Sequence, residues 1–483
     1  MAYHANLPAP TFDLETWASN YEGPLLPLRL AHVATHCPPL SQQSLDLAIT
    51  AAKRGKDVLL YNRLYEIAEK LGVSGLEQKD EEWMQRQEEG NKRELARLEG
   101  ELRGYKNNLI RESIRMGQED LAMHLLLTGG PLPDPQNPQS ATGAGYNAAY
   151  QAFGKMRDYC TTPSHVASMT LRLIHTALLQ AVATQQTGGA PHLHLNAALA
   201  NANRLRSVGI KEEEMVRITP IMHVSGGLAH LGAGSYPEAA VAFLSTPFEY
   251  ASQGVVQGTN ATRAIASGND VAIYGGLCAL ATMTRDTLND TVLAGPFRAF
   301  LELEPHLRKA ISLYTTAKYQ ACLDTLRRYY SDWSLDVFLG AQASPTAKES
   351  HLDRLILRIR EKSITAYLSS FAQVSLASLA STFPPLSSDP QAMEDEILSM
   401  IEAGMLDARL DVVKGLVIAP QKEARKSAHA AAAAAAEEVE RTLLLRLHRV
   451  NVTLAGLEIP KAKTGNWSGT GGEGMRLGNG GFP

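Results

Sequence analysis

The chain has 483 residues, a formal net charge of −4 at pH 7, and 45% hydrophobic against 20% charged residues. This composition is typical of a soluble globular protein, and the length favours roughly two to four domains. The near-neutral charge argues against an electrostatic interaction with nucleic acid or with an anionic membrane.

Cysteine usage and the first residues indicate the cellular compartment. The start of the chain, with His4 and Pro8, lacks the basic-then-apolar order of a secretory signal. No apolar run is identified that reaches the length of a membrane span. The cysteines lie far apart without paired spacing, so reduced thiols are expected: Cys37, Cys160, Cys278 and Cys322. An intracellular protein without a membrane segment is therefore expected.

Helical patterns dominate the first hundred residues of the sequence. Amphipathic spacing begins at Phe12 and continues through Leu28 and Leu45, which predicts an N-terminal helical region over residues 1–76. Between Glu77 and Arg103, charges of both signs recur at helical spacing with few apolar residues between them. This segment is predicted to be a long, mostly solvated helix rather than a binding site.

Residues 77–260 are predicted to contain this charged linker helix followed by tetratricopeptide-like helical repeats. Leu228–Leu244 has the form of a repeat turn, with small residues where two helices meet and Pro237 starting the second helix. The repeat period is irregular, so a degenerate solenoid is predicted. Pro131–Gly145 is expected to be an exposed loop, and Gln185–Pro191 a second surface insertion.

The most informative segment is Val271–Leu288, an apolar run with Gly275 and Gly276 at its centre. Its apolar residues cover two neighbouring helical faces, which predicts a helix buried from both sides with Asn269 or Asp270 as its cap. Each glycine costs roughly 0.5 to 1 kcal/mol relative to alanine within a helix, so another backbone is expected to approach this pair closely.

A winged-helix pattern is predicted over about residues 367–420. Val374–Phe383 has the spacing of a short helix, and a second helix is expected from a cap at Asp389 to Gly404. The period then falls to two residues, and Lys414-Gly415 can turn the chain back, which predicts a β-hairpin. The apolar hairpin residues are Leu406, Ala408, Leu410, Val412 and Val417.

The second helix of this pattern argues against DNA recognition. Residues 389–403 contain five carboxylates and neither lysine nor arginine. Phosphates repel such a helix, so the winged helix is expected to bind protein, with nucleic acid disfavoured. The open edge of the hairpin would offer backbone groups for strand addition, so Leu406, Ala408, Leu410 and Val417 are predicted to bind a partner.

One long helix is predicted over residues 421–457, followed by a disordered glycine-rich tail over 458–483. Apolar residues recur along this helix at near-heptad steps, and such a stripe must dock on another surface. Alanines form its first part, and the predicted partner-binding residues of the stripe are Val439, Leu443, Leu447, Val450 and Leu454.

No catalytic, cofactor-binding or metal-binding residue is assigned. Gly469–Gly474 has the dinucleotide-binding spacing, but it lies in the predicted tail without a strand before it or a helix after it. His192 and His194 could begin a metalloisopeptidase motif, but Ala202 and Leu205 stand where that motif needs a serine and an aspartate. The two histidines are therefore expected to be exposed in a flexible insertion.

Several segments together resemble the subunit 1 family of the COP-9 signalosome. They occur in the family's order: residues 12–38, RDYC at 157–160, the glycine-pair helix, FLELEP at 300–305, a winged helix and a terminal helix. The resemblance covers most of residues 12–457. It implies a mainly α fold, with a tetratricopeptide-like solenoid, a PCI domain over 261–420 that ends in the winged helix, and a C-terminal bundling helix.

The resemblance also implies a function. In that family the winged-helix sheets of several subunits join edge to edge, and the C-terminal helices gather in a bundle. The complex removes the ubiquitin-like protein NEDD8 from cullins, with its zinc site in a different subunit. The chain is therefore expected to be a non-catalytic scaffold without a cofactor, in the cytoplasm and nucleus. Its expected partners are other signalosome subunits and, through the complex, cullin-RING ubiquitin ligases.

Two alternatives remain open. The paralogous lid subunit of the proteasome regulatory particle shares the same architecture. A PCI protein of another class could use its winged helix to bind nucleic acid, and steeply salt-dependent binding would be the sign of it.

Overall fold

A computed structural model describes residues 7, 10–73, 75–76, 78–130, 146–256, 258–344, 347–384, 391–419 and 424–456. Within these ranges the protein is mainly helical, as the sequence predicts, and carries two small sheets. The chain divides into one unit over residues 1–418 and a second over 419–483. The predicted loop Pro131–Gly145 and the glycine-rich tail over 458–483, with its Gly469–Gly474 motif, lie outside the described residues.

Two of the four N-terminal helices begin at an aspartate whose side chain caps them. The Asp13 and Asp57 carboxylates accept hydrogen bonds from the backbone N–H groups of Thr16 and Leu60, which satisfies donors that a helix start leaves free. Apolar residues from all of these helices share one buried cluster. The helices are α1 (Leu14–Ser19), α2 (Leu25–His36), α3 (Ser41–Gly55) and α4 (Val58–Leu71).

The predicted charged helix is α5 (Glu81–Asn107), which begins at Glu81 rather than at Glu77. Asp80 caps it by accepting a hydrogen bond from the backbone N–H of Trp83 at 2.9 Å. Its buried residues are Leu98 and Leu102, so most of its surface is solvated, as predicted.

Helices that each pack against the next form the repeat region, which is the arrangement of a helical solenoid. Phe243 is wholly buried in the predicted turn segment Leu228–Leu244. These helices are α6 (Arg111–Leu127), α7 (Tyr146–Lys155), α8 (Pro163–Gln186), α9 (His192–Leu205), α10 (Glu212–Gly232) and α11 (Tyr236–Leu244).

Two expectations for the repeat region are wrong. The segment Gln185–Pro191 is a short connection rather than an insertion, because α8 continues to Gln186 and α9 begins at His192. His192 and His194 therefore lie in the first turn of α9 and not in a flexible insertion.

The helix α8 is long and apolar enough, by composition, to cross a membrane, and it is the one described helix of that kind. Arg172 and His175 interrupt its apolar residues, so the sequence shows no continuous apolar run of that length here. In the fold, 78% of its most apolar window is buried inside the protein. This helix is therefore part of the solenoid core.

The predicted glycine-pair helix is α13 (Gly268–Thr282), and most of its residues are buried. Its cap is Ser267 rather than Asn269, and the Asp270 carboxylate completes a capping box by accepting from the backbone N–H of Ser267. The helix ends at Thr282 rather than at Leu288, because the chain leaves helical geometry at Met283.

Side chains, rather than the expected backbone, fill the space beside the glycine pair. A Cβ atom on Gly275 would lie 2.5 Å from Cζ of Phe297, and one on Gly276 would lie 2.9 Å from Cγ of Leu307. Both distances are too short for real atoms, so the absence of a side chain at each position lets α13 pack among its neighbours.

Short helices around α13 lead to the second half of the larger unit. They are α12 (Ala261–Ala264), α14 (Arg285–Thr287), α15 (Arg298–Leu303), α16 (Pro305–Thr315), α17 (Tyr319–Arg328) and α18 (Tyr330–Ser334). A hairpin that was not predicted follows, with β1 (Gln342–Ser344) antiparallel to β2 (Ala347–Ser350). The hairpin leads into α19 (His351–Leu368). This helix begins with a capping box between Ser350 and Asp353.

The winged helix has one strand more than the sequence predicts. Val374 lies in this extra strand rather than in a helix, because the helix begins only after Ser375, whose hydroxyl accepts from the backbone N–H of Ser378. Gly404, with φ of +71°, ends the second helix as predicted, whereas the predicted cap Asp389 lies outside the described residues. The elements are β3 (Gln373–Ser375), α20 (Leu376–Thr382), α21 (Ala392–Glu402), β4 (Arg409–Asp411) and β5 (Leu416–Ile418).

The second unit contains the predicted long helix, α22 (Ala424–Leu454). Its described side chains are exposed, apart from the half-buried Val452. A single helix cannot bury its own apolar stripe, so the stripe faces solvent in the isolated chain.

Candidate partner interfaces

The winged-helix sheet presents an unpaired strand edge. The strand order is β3-β5-β4 and both pairings are antiparallel, with Leu410 opposite Val417 and Val374 also opposite Val417. The strand β5 therefore pairs on both sides, whereas β4 pairs within the described sheet on one side. The strand β3 likewise pairs on one side, so the outer backbone groups of both β3 and β4 are placed for strand addition, and those of β4 belong to the predicted hairpin.

The predicted hairpin residues divide into two groups in the structure. Leu406 and Val417 are 6% and 2% exposed, so their side chains stabilise this chain's own sheet and are not placed to contact a partner. Ala408 and Leu410 are half-buried. Val412 lies in the turn, 62% exposed, because β4 ends at Asp411. The hairpin's contribution to partner binding therefore falls mainly on the backbone of β4.

The helix α21 is fixed in place by an ion pair. The Arg360 guanidinium on α19 donates from Nε to Oε1 of Glu396 at 2.6 Å and from Nη2 to Oε2 at 2.9 Å. This two-point geometry is the strongest form of such a pair. Asp395 and Glu402 remain exposed on α21, and they give its surface a negative charge that repels phosphate.

The stripe of α22 is exposed along its whole length. Its residues are Val439, Leu443, Leu447, Val450 and Leu454, which are 58%, 54%, 57%, 53% and 80% exposed. The neighbouring Leu444 and Leu445 are exposed to a similar degree. A contiguous apolar surface of this kind on a helix marks a site for another helix.

A half-buried lysine joins the glycine-pair helix to α19. The Lys362 ammonium donates to the carbonyl oxygen of Leu280 at 2.6 Å and also to that of Met283, at the C-terminal end of α13. Those carbonyls have no partner within the helix, and a positive charge there also complements the helix dipole. Burial lowers the pKa of Lys362 to about 8.

A second contact joins α19 to the repeats. The Tyr236 hydroxyl at the start of α11 lies 3.0 Å from Nδ1 of His351 at the start of α19, and both side chains are buried. Burial lowers the pKa of His351 to about 4, so the imidazole is neutral near pH 7. Together with the Lys362 contact, this pair sets the orientation of α19 against the repeat helices.

A buried arginine network joins the N-terminal helices to α13. Arg29 on α2 is 1% exposed and donates to Oδ2 of Asp336 at 2.7 Å and to the carbonyl of Ile265 at 2.8 Å. Its Nη2 also lies 3.7 Å from Oδ2 of Asp270, which accepts a hydrogen bond from Tyr21. Sequence reasoning missed this network, although a charged residue inside the apolar segment 25–34 was a signal for it.

The described residues were also compared with the requirements of a metal site. No three histidine, cysteine, aspartate or glutamate side chains there come together as a metal site would require. His192 is exposed and His194 is half-buried on α9. The best-defined polar groups are therefore those that join helices.

A solenoid of helical repeats, followed by further helices and a winged helix, defines a PCI-domain protein. A sequence comparison agrees, because the PCI domain family matches residues 323–421. The family described as 26S proteasome subunit RPN7 matches residues 80–130 and 143–291.

Curated relatives identify the family more narrowly. COP9 signalosome complex subunit 1 of Emericella nidulans is 38% identical over 461 residues, which cover 93% of this chain and 84% of that protein. The protein of the same name from Neurospora crassa is 33% identical, over 89% of this chain and 88% of its own length. That of Arabidopsis thaliana is 28% identical, over 91% and 89%. The chain belongs to the COP9 signalosome subunit 1 family.

Proposed function

We propose that the chain is a non-catalytic scaffold subunit of a COP9 signalosome in the cytoplasm and nucleus. In this role it supports the removal of NEDD8 from cullins and so regulates cullin-RING ubiquitin ligases. The observation that carries the proposal is that the relatives covering most of the chain are each named as a subunit of that complex.

The described surfaces suit a subunit with several neighbours. The β4 edge can extend a sheet across a subunit boundary, and the α22 stripe can enter a helical bundle. The two surfaces use different chemistry, because the first offers backbone hydrogen bonds and the second offers apolar side chains. A partner bound at one would not have to resemble a partner bound at the other.

The interior suits a rigid support. Lys362 and Arg360 each bond to another helix of the chain, and Tyr236 and His351 join α11 to α19. Buried and half-buried charged groups of this kind favour one packing arrangement, because another arrangement would leave a charge without its partner. Fixed angles between helices are what a scaffold needs in order to hold its neighbours in place.

Affinity purification of the tagged full chain at moderate salt tests the proposal. Other signalosome subunits are expected as stoichiometric partners, and the purified complex is expected to cleave a NEDD8-cullin conjugate. The chain alone, supplied with zinc, should leave the conjugate intact. Cleavage by the chain alone would contradict a non-catalytic role.

A second candidate function is that of a scaffold subunit in the lid of the proteasome regulatory particle. The match to the family described as a 26S proteasome subunit favours it. The same purification separates the two functions, because proteasome subunits would then replace signalosome subunits among the partners. Nucleic-acid binding is less well supported, because α21 carries exposed carboxylates and no basic residue.

A further inference from the structure

Two large apolar side chains are exposed where the chain passes from α5 to α6. Leu109 and Ile110 lie in this connection, and they are 82% and 52% exposed. A single exposed leucine or isoleucine is common on a protein surface and needs no explanation. Two further features distinguish this connection from such a residue: the conformation of its backbone and the charges on either side of it.

The backbone of Leu109 has a conformation that is unfavourable for leucine. Its φ is +55°, in the left-handed region, directly after the C-cap Asn108 of α5. Glycine or asparagine is the usual residue at this position of a helix end. Lys56 and Ala317 share the left-handed region, but neither carries a large apolar side chain. Leu109 is too exposed for packing within the chain to offset the strain, and an uncompensated strain of this kind indicates a functional role.

Positive charge lies on both sides of the apolar pair. The cations are exposed and belong to the C-terminal part of α5 and the first residue of α6: Arg103, Lys106 and Arg111. None of the three lies within ion-pair distance of a carboxylate in the described ranges. Residues 103–111, which we call the α5–α6 tip, contain these cations and no carboxylate. This balance of charge favours an anionic partner.

The carboxylates that flank the α5–α6 tip in the sequence are already paired. Glu101 pairs with Arg97, and Glu112 pairs with Arg115 at 2.6 Å. Each carboxylate is thus engaged by an arginine of its own helix rather than by a cation of the tip. The positive charge is local, because the whole chain has a net charge of −4. The tip therefore combines an apolar centre with a positive rim.

An acidic peptide suits this tip better than an anionic membrane. Basic segments that bind anionic lipids contain about four to eight lysines and arginines together, whereas the tip has three cations. The negative net charge of the chain also opposes its approach to an anionic surface. A peptide needs only one apolar side chain to cover Leu109 and Ile110, with carboxylates beside it to reach the cations.

We propose that the α5–α6 tip is a docking site for a peptide segment of a partner protein, in which carboxylates flank a large apolar residue. The apolar residue packs on Leu109 and Ile110, which removes apolar surface of both proteins from water. The flanking carboxylates pair with the cations of the tip. The site is distinct from the β4 edge and the α22 stripe, and it does not depend on which complex contains the chain.

Fluorescence anisotropy with the full chain and three labelled peptides tests the recognition. The probe is fluorescein-labelled Gly-Glu-Glu-Leu-Glu-Glu-Gly amide. In one counterpart glutamine replaces every glutamate, and in the other alanine replaces the leucine. At about 50 mM salt, where exposed charges are weakly screened, the glutamine peptide should bind about tenfold more weakly than the probe. The alanine peptide should bind about fivefold more weakly. Equal binding of the probe and the glutamine peptide would overturn the proposal.

Replacing Leu109 separates binding from folding. Leu109→Gly should weaken the probe about fivefold, while the melting temperature stays equal or rises, because glycine adopts the left-handed conformation without strain. Leu193→Ala is the control, since Leu193 is 80% exposed on α9, and it should bind the probe normally. Unchanged binding by Leu109→Gly would contradict the site. A melting temperature lower by more than about 2 °C would show that the leucine stabilises the fold, which also contradicts the proposal.

A second pair of variants tests the positive rim. Lys106→Gln should weaken the probe about threefold, as expected for one exposed ion pair, and should leave the glutamine peptide unchanged. Lys92→Gln is the matched control, because Lys92 is exposed on the same helix about 21 Å away along its axis. Equal losses in the two variants would contradict a local site.

Vesicles distinguish a peptide site from a membrane site. The chain is expected to stay in solution when vesicles of phosphatidylcholine and phosphatidylserine in equal parts are sedimented. Sedimentation of the chain with these vesicles, lost in Leu109→Gly, would identify the tip as a membrane contact and overturn the proposal of a peptide partner.

Discussion

Arg360 holds Glu396 by two hydrogen bonds, from Nε to Oε1 at 2.6 Å and from Nη2 to Oε2 at 2.9 Å. The two side chains are 3% and 14% exposed, so the pair lies almost entirely within the protein. It connects α19, which packs against the glycine-pair helix, with α21 of the winged helix. The orientation of the winged-helix sheet, and hence of its open edge, depends on this pair.

Removing one partner of that pair should be costly. Glu396→Gln leaves the buried guanidinium without its counter-charge, so the free energy of unfolding should fall by about 3 kcal/mol. Chemical denaturation monitored by circular dichroism measures the change. Asp395→Asn, on the same helix but exposed, should change the stability by less than about 0.5 kcal/mol. The double variant Arg360→Met with Glu396→Leu should lose less than Glu396→Gln alone, and a larger loss would contradict this account.

The second prediction concerns the glycine pair in α13. Gly276→Ala should destabilise the chain, although alanine is the better helix former, because the new Cβ would overlap the Leu307 side chain. Gly226→Ala in α10 is the control, since no atom lies within 4 Å of its added Cβ, and a gain of roughly 0.5 to 1 kcal/mol is expected there. Thermal unfolding of the two variants gives the comparison.

A compensating change makes the same prediction sharper. If the overlap with Leu307 is the cause, Leu307→Ala should cost less in the Gly276→Ala background than in the unchanged chain. Additive losses would show that the cost arises elsewhere. Gly276→Leu should disturb folding and assembly together, because no nearby space can accept a leucine side chain.

The sequence predicted best what depends on local patterns. The periodicity of α5, the buried character of α13 and the turn at Gly404 follow from short stretches of chain, and the structure has all three. The strand β3 was missed because three residues are too few to show a period of two. Contacts between residues far apart in the sequence could not be predicted either, since no local pattern pairs Arg29 with Asp336 or Glu304 with Asn269.

For the candidate interfaces too, features set by a local pattern were predicted and features set by packing against distant residues were not. The stripe of α22 follows from a repeat within one helix, and its residues are exposed as a docking stripe would be in the isolated chain. Leu406 and Val417 were expected to bind a partner, but alternation along a strand shows only that one face is apolar. It does not show whether that face covers the chain's own core, and here it does.

The third prediction is a dependence of stability on pH that comes from His351. Its pKa is about 4 in the folded chain and near 6.5 when unfolded, because burial disfavours the charged imidazole. Between these values the unfolded chain binds more protons, so stability is complete above pH 6.5 and falls as the pH drops toward 4. From pH 7 to pH 5 this residue should remove on the order of 2 kcal/mol.

Replacing the imidazole isolates this contribution. His351→Asn keeps a polar atom near the position of Nδ1, which contacts the Tyr236 hydroxyl, but it does not titrate. Denaturation at pH 7, 6 and 5 should give a shallower loss for this variant than for the unchanged chain. The exposed His192 serves as the control, because His192→Asn should leave the slope as it is. Identical slopes for the unchanged chain and the His351 variant would show that His351 is not the titrating group.

The fourth prediction concerns assembly through α22. Leu443 and Leu445 are 54% and 58% exposed, but at 100° per residue they point to nearly opposite sides of the helix. Leu443→Lys places a charge in the stripe and should reduce incorporation into the complex at least about tenfold, since a desolvated lysine in a helical bundle has no partner. Leu445→Lys should assemble normally, and both variants should keep the melting temperature of the larger unit. Removal of residues from 421 onward should leave a folded chain that no longer co-purifies with its partners, whereas normal incorporation of the truncated chain would place the assembly contacts within residues 1–420.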